Sequence, residues 1–409
     1  MSVPKLLLAA WVVCAVMAAA PMRKAAPRVA PVRVPANVAR KPEPDPNRIN
    51  FSSPQEFVVR SSSMGTRPYG SPCAAVGGYR GYALVYEAIT DEVDGGHTQA
   101  VFVMRDRDMA PLKGPRALTP KAEHSALEFV RLLRFPGPQD KFLCVYQTRL
   151  NNTDAGFYWI IDPFTMGEFG TAQALEQPNE GIELQSVRFL PGRETAVILY
   201  NTSAGARYMV IDRTGQKVYR GVPGRTIAEA RKVEARDIGF LHDGQWILAG
   251  KHSGEWGVRT MDPYGQWTDA AQQIPDTNNS PLAKMEILGP DRLLVRYGYL
   301  GAGLLHFGPT RLRPIETPEL RNVYASYSEP VGQERVLVAH ICKQDEQFNM
   351  HAYIADASGQ VLKPPQMVMR DCYSSAAFAR RWGARDELVV FSASPSSNIG
   401  RFRYITIKE

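Results

Sequence analysis

The segment from Phe240 to Gln266, FLHDGQWILAGKHSGEWGVRTMDPYGQ, constrains the fold more than any other stretch because its frame recurs along the chain. His242-Asp243-Gly244 reads as a turn in which Gly244 takes positive φ, and Gln245 to Ala249 as a short apolar strand. Trp256 to Met261 is its hairpin partner across the polar, Gly-containing loop Lys251 to Glu255, and Asp262-Pro263-Tyr264-Gly265 makes a second turn. The same frame runs from Phe189 to Gln216, with Ile211-Asp212 where Met261-Asp262 stands. Ile161-Asp162 and Ala355-Asp356 mark further copies. Looser ones occupy Leu288 to Pro309, the stretch ending near Asp106, and the stretch ending at Ile407. An interval of about 50 residues is the period of a propeller blade of four short strands. Seven copies predict an all-β chain, a seven-bladed β-propeller over residues 49–409.

These copies resemble the TolB-type propeller repeat, a relative of the WD repeat. Its core is a Pro-Asp-Gly turn, a strand, a Gly-containing loop, a strand and an Asp-x-x-Gly turn. The resemblance covers residues 74–409 and implies the fold. Pro191-Gly192, His242-Asp243-Gly244 and Pro290-Asp291 stand where an intact Pro-Asp-Gly would be, and the separate N-terminal domain of TolB has no counterpart.

The last copy ends after three strands. Phe57 to Arg60, part of the strand-like run Glu56 to Arg60, would supply the fourth and close the ring, which removes two open sheet edges. The loops after each second strand then share one face. These vary most between copies, and on a rigid scaffold such loops carry binding. The partner-binding candidates there are Arg149, Lys251, His252, Glu255, Tyr299 and Phe348.

Residues 1–18 read as an export signal, with Lys5 followed by an apolar run. Arg23, Lys24, Arg28 and Arg33 after that run also suit an uncleaved membrane anchor. Residues 19–48 form a basic Pro/Ala-rich tail, expected to be disordered and to act as a spacer. Most of the net charge of +7 lies in this tail and in Lys5. A near-neutral propeller remains, which gives no reason to expect nucleic acid as a partner.

Export permits disulfides. Cys342 and Cys372 are placed on one face of adjacent blades and are the expected pair, with Cys73 to Cys372 as the alternative. Cys144, inside an apolar strand, reads as a buried free thiol. The seven histidines show no paired ligand spacing, and no nucleophile elbow or phosphate loop occurs. Asp91 to Gly96 lacks the ligand alternation of a calcium loop and reads as a solvated hairpin loop. Glu128, Glu183, Asp237 and Glu286 fall near the starts of successive inner strands. As a ring of carboxylates they would hold Ca2+ and activate water. As structural pairs they would be neutralised by Arg131, Arg188, Arg236 and Lys284 on the same strands. Asp162, Asp212, Asp262 and Asp356 each precede a turn and are expected to bind its amides.

Two functions follow as expectations. One is a non-enzymatic exported module of a bacterial envelope, periplasmic or secreted, that binds a protein or polymer partner and meets the membrane only through an uncleaved N-terminal segment. The other is a calcium-dependent hydrolase or lyase acting on a glycan or lactone in the central channel.

Overall fold

The computed structural model describes residues 49–52, 54–58, 63–64, 73–89, 98–118, 124–150, 153–164, 172–176, 181–218, 225–241, 243–273, 282–289, 292–297, 301–306, 313–314, 323–331, 335–344, 347–356, 360–370, 372, 376–380, 387–393 and 399–406. Residues 1–48, where a signal and a tail are expected, lie outside them, as do Asp91 to Gly96 and Tyr299. The described residues belong to one unit, Pro44–Glu409. Among them the only helical element is a 3-10 turn at Ala230–Lys232, and no helix is long and apolar enough to cross a membrane.

The rest is an antiparallel β-propeller, with five sheets of four strands and two of five. The fourth sheet contains the opening repeat: Val233–Phe240 innermost, then Trp246–His252, Glu255–Met261 and Gln272–Gln273. Its neighbours repeat that order. The inner strands His124–Arg134, Glu183–Phe189, Leu282–Gly289, Val323–Pro330 and Ala376–Arg380 each lie at one margin of their sheet. In the first sheet the innermost position is divided between Ser63–Met64 and Ala74–Gly77, both paired to Tyr82–Ile89.

The last sheet has three strands of its own, Ala376–Arg380, Glu387–Ala393 and Ile399–Thr406. The N-terminal chain completes it with two segments where the sequence suggested one. Asn50–Phe51 pairs with Thr406 and Ile405, and Gln55–Val58 pairs with Phe402 through Ile399. The added strand therefore begins earlier than Phe57, and Ile49 is buried in the core beside Leu388 and Ile405.

Apolar clusters fill the spaces between neighbouring sheets, because each strand alternates its side chains between two faces that are both covered. One joins Ala83, Phe102 and Phe142 of the first and second sheets, and another joins Tyr200 to Leu143 of the third and second. The cluster of Tyr82, Leu84 and Val101 with Val389, Phe391 and Phe402 unites the first sheet with the last and shuts the ring.

Tyrosine hydroxyls reinforce these junctions. Tyr158 donates to the Gly215 carbonyl at 3.0 Å, Tyr208 to Pro263 at 2.7 Å and Tyr404 to Arg107 at 2.5 Å. Each bond runs from the third strand of one sheet to the aspartate turn of the next, so the ring closure uses the same latch as interior junctions. The turns are built as their aspartates suggest. Asp212 Oδ1 accepts from the amides of Thr214 and Gln216, Asp262 Oδ1 from Tyr264 and Gln266, and Asp356 Oδ1 from Gln360.

The expected disulfide is a correction. No disulfide joins Cys73, Cys144, Cys342 or Cys372. On the strand Arg335–Gln344, Leu337, Ala339 and Ile341 face the last sheet, whereas Val336 and Val338 face the fifth. Cys342 follows the second set by alternation, so its thiol points away from the face on which Cys372 packs. The Cys372 thiol donates to the Phe348 carbonyl at 3.3 Å. Cys144 is buried, and burial pushes its thiol up.

Candidate binding site in the axial channel

The inner strands carry a shared irregularity that decides what faces the axis. Register shifts occur between Leu127 and Phe129, Leu184 and Ser186, Ala235 and Asp237, Leu282 and Lys284, and Val323 and Ala325. Such bulges re-aim the residues after them. At the same step beyond the bulge stand Arg131, Arg188, Gly239, Glu286 and Tyr327, and all five line one cavity of about 640 Å3. Ala74, Ala75 and Cys73 of the first sheet and Phe378 of the last complete the wall. Every sheet thus contributes to this cavity.

Its polar half is a network centred on Arg188. The guanidinium binds Asp237 through Nη2 at 2.8 Å and Nε at 3.2 Å, and Glu286 through Nη1 at 3.1 Å. It also donates to the Met285 carbonyl. Gly239 is closely packed: a β-carbon there would meet Ile287 at 2.9 Å and Ile247 and Met285 at 3.2 Å. Burial acts to lower the Arg188 pKa, but Asp237 and Glu286 outweigh it and hold the group above the usual arginine range. Asp237 also accepts from the Ser186 hydroxyl, from Ile238 N at 2.8 Å and from Met285 N at 2.7 Å. Ser328 donates to Glu286 at 3.4 Å.

Arg131 differs. It lines the same cavity, yet among the described residues no hydrogen bond or ion pair reaches its guanidinium; its one close partner is the Phe129 ring, 5.4 Å away. Burial lowers its pKa, Asp237, Tyr327 and Glu286 work against that, and Arg188 adds to it.

The four candidate carboxylates do not converge. Glu128 is itself a bulged residue, Glu183 precedes the bulge of its strand, Asp237 follows directly on its own, and Glu286 lies further along. Asp237 and Glu286 reach the channel and share Arg188. Glu128 is exposed and held by Gln147 at 3.1 Å and Arg149 at 3.2 Å, while Glu183 pairs with Arg236 at 3.2 Å. Among the described residues no group of three or more His, Cys, Asp or Glu is placed to hold a metal ion.

The loop candidates divide as well. Arg149 is exposed and bridges Glu128 and Asp154. Lys251 is half-buried, with its Nζ 6.0 Å from the Trp256 ring, and Glu255 is exposed and accepts from Gln273. His252 and Phe348 are corrections. The expected loop from Lys251 to Glu255 shrinks to a two-residue turn, Ser253 and Gly254 at φ 50° and 100°, so His252 is a strand residue opposite Glu255. It is buried with its ring edge-on to Trp267 at 5.4 Å. Phe348 likewise joins a strand, opposite Lys343, and is buried in the core shared with the last sheet.

Sequence reading missed Gln147 and Asn201, two amides that clip neighbouring sheets together. Gln147 accepts from Leu184 N at 2.7 Å, and Asn201 both accepts from Ala235 N at 3.1 Å and donates to its carbonyl at 3.0 Å. Both clips fall at bulges, whose unpaired backbone groups need partners. Asp140 was missed too. It is buried and accepts from Tyr79 N, Arg80 N and Arg134.

No protein-family model matches the chain, and no curated protein does so. Solved structures with some likeness include an extracellular domain described as that of a hybrid two-component system from B. thetaiotaomicron. Its identity is 12%, its TM-score 0.49, and the match covers 86% of this chain and 41% of that one. A polysaccharide lyase, an ulvan lyase, matches at 8% identity and TM-score 0.47 over 87% of this chain and 96% of its own. A protein from Lactobacillus plantarum matches at 12% and 0.48 over 78% and 95%. At such scores the likeness carries no functional information.

Proposed function

We propose that the chain is an exported, non-enzymatic β-propeller, its seven sheets serving as blades, that acts as a binding or scaffold module in the periplasm or outside a bacterial cell. The observation that supports this reading is the saturation of the channel carboxylates. Asp237 and Glu286 are neutralised by Arg188 and accept further donors, so neither is poised as a base or as an open cation ligand. A rigid ring with charged side chains at the ends of its second strands suits recognition of a protein or envelope polymer.

The test places a photo-crosslinking residue at Arg149, at Lys251 or at Arg213. Arg213 lies in the aspartate turn at the other end of its sheet. Specific adducts in the native envelope from the first two positions, and none from Arg213, support the module. Adducts from none, together with binding heat on titration of Ca2+, would overturn it in favour of a calcium-dependent enzyme.

A further inference from the structure

We propose that Arg131 is the anchor of a ligand site in the axial channel that takes a singly charged carboxylate carried on an apolar body. This deepens the binding-module reading and rests on it. Arg131 presents a planar fork of donors suited to a carboxylate, and among the described residues nothing bonds to it. The neighbouring arginine at the same level, Arg188, is by contrast committed to Asp237 and Glu286. The difference between them is one of supply. Of the three acids that line the cavity, Arg188 takes Asp237 and Glu286, and Glu329 lies beside Arg380.

The charge balance selects the ligand. Arg188 holds Asp237 and Glu286, and Arg380 lies 3.7 Å from Glu329, the third acid of the lining, so Arg131 is the cation of the lining left to meet one added negative charge. A second would face the carboxylates of Asp237, Glu286 and Glu329 with no further unpaired cation in a partly desolvated channel. A carboxylate therefore suits the site better than a phosphate dianion. The opposite wall selects the body. Tyr327 and Phe378 lie with ring centroids 6.0 Å apart, and Ala74 and Ala75 leave room beside them. A cavity of about 640 Å3 holds a small molecule or the last residues of a peptide.

The experiment titrates the full chain with 3-phenylpropionate and with its amide, and separately with acetyl-Ala-Ala-Phe as free acid and as amide. Binding is followed by calorimetry and by the side-chain NMR signal of Arg131. Binding of an acid in the millimolar range or tighter, with its amide about tenfold weaker or worse, is the expected result. Arg131→Gln should abolish that preference and Arg131→Lys should keep part of it. Melting temperatures of both variants near wild type show that the fold is intact. A response to 3-phenylpropionate alone identifies a free acid as the ligand, and a stronger response to the peptide acid identifies a chain terminus. Equal binding of acid and amide, no binding of either acid, or an unchanged preference in Arg131→Gln overturns the proposal. If the crosslinks at Arg149 and Lys251 persist in that event, the module stands and only its channel site is lost.

Discussion

Arg188 of the third sheet lies with Nη2 2.8 Å from Oδ2 of Asp237 in the fourth, and its Nη1 continues to Glu286 in the fifth. The pair spans three sheets at the axis. Asp237 and Glu286 are almost fully buried, at 2% and 7% side-chain exposure, so removing the cation strands two charges. Arg188→Met should cost about 3 to 5 kcal/mol in denaturant unfolding. Arg131→Met, which breaks no ion pair, should change stability by less than about 1 kcal/mol. Equal losses in the two variants would contradict the assignment of Arg188 as the hub.

The N-terminal segment is a structural strand. Deleting residues 49–58 removes Ile49 from the core and leaves Ile399–Thr406 as an unpaired edge. The melting temperature should fall by several degrees and aggregation should rise; an unchanged melting curve would refute this closure. Tyr404→Phe is the milder form of the same test, with an expected loss of about 1 kcal/mol. Tyr208→Phe, at an interior junction, should behave alike.

Stability should fall on mild acidification through His252. Burial, followed by the nearby Arg259, lowers its pKa from 6.5 to about 4. The unfolded chain then takes up the proton first as pH drops. The contribution of neutral His252 is complete above about pH 6.5 and is lost progressively as pH falls toward 4, an effect of about 3 kcal/mol at the lower limit. His351, also lowered by burial, adds in the same direction. His252→Phe keeps the packing on Trp267 and should flatten the dependence of melting temperature on pH within that window.

Free thiols make a further prediction. Intact masses with and without reductant should agree, and reductant should leave the melting temperature unchanged. Burial raises the Cys342 pKa to about 11, so alkylation of the native protein at pH 8 should leave Cys342 unmodified. A mass shift on reduction would restore the Cys342 to Cys372 bridge.

The repeat frame around Asp212 and Asp262 was legible because it is local. A short turn, two apolar strands and a second turn are dictated by residues close in sequence, and the aspartates bind amides of their own turns. The cysteine pairing failed because it depended on which face of a strand each thiol occupies, and a small shift in strand ends reverses that. Phe348 and His252 failed alike, as tight turns lengthened their strands at the expense of the loops.

By itself the sequence determined an all-β repeating chain, the aspartate turns, the completion of the last sheet by N-terminal residues and a buried Cys144. Only the tertiary structure decided what faces the axis. The bulges at Glu128, Gln185, Arg236, Ala283 and Tyr324 offset the inner strands by a residue. Carboxylates that look equivalent in sequence thereby fall at different levels, and Arg131 and Arg188 come to one level with different partners. A side chain in a strand changes direction with every residue, so its surroundings depend on pairing between distant segments.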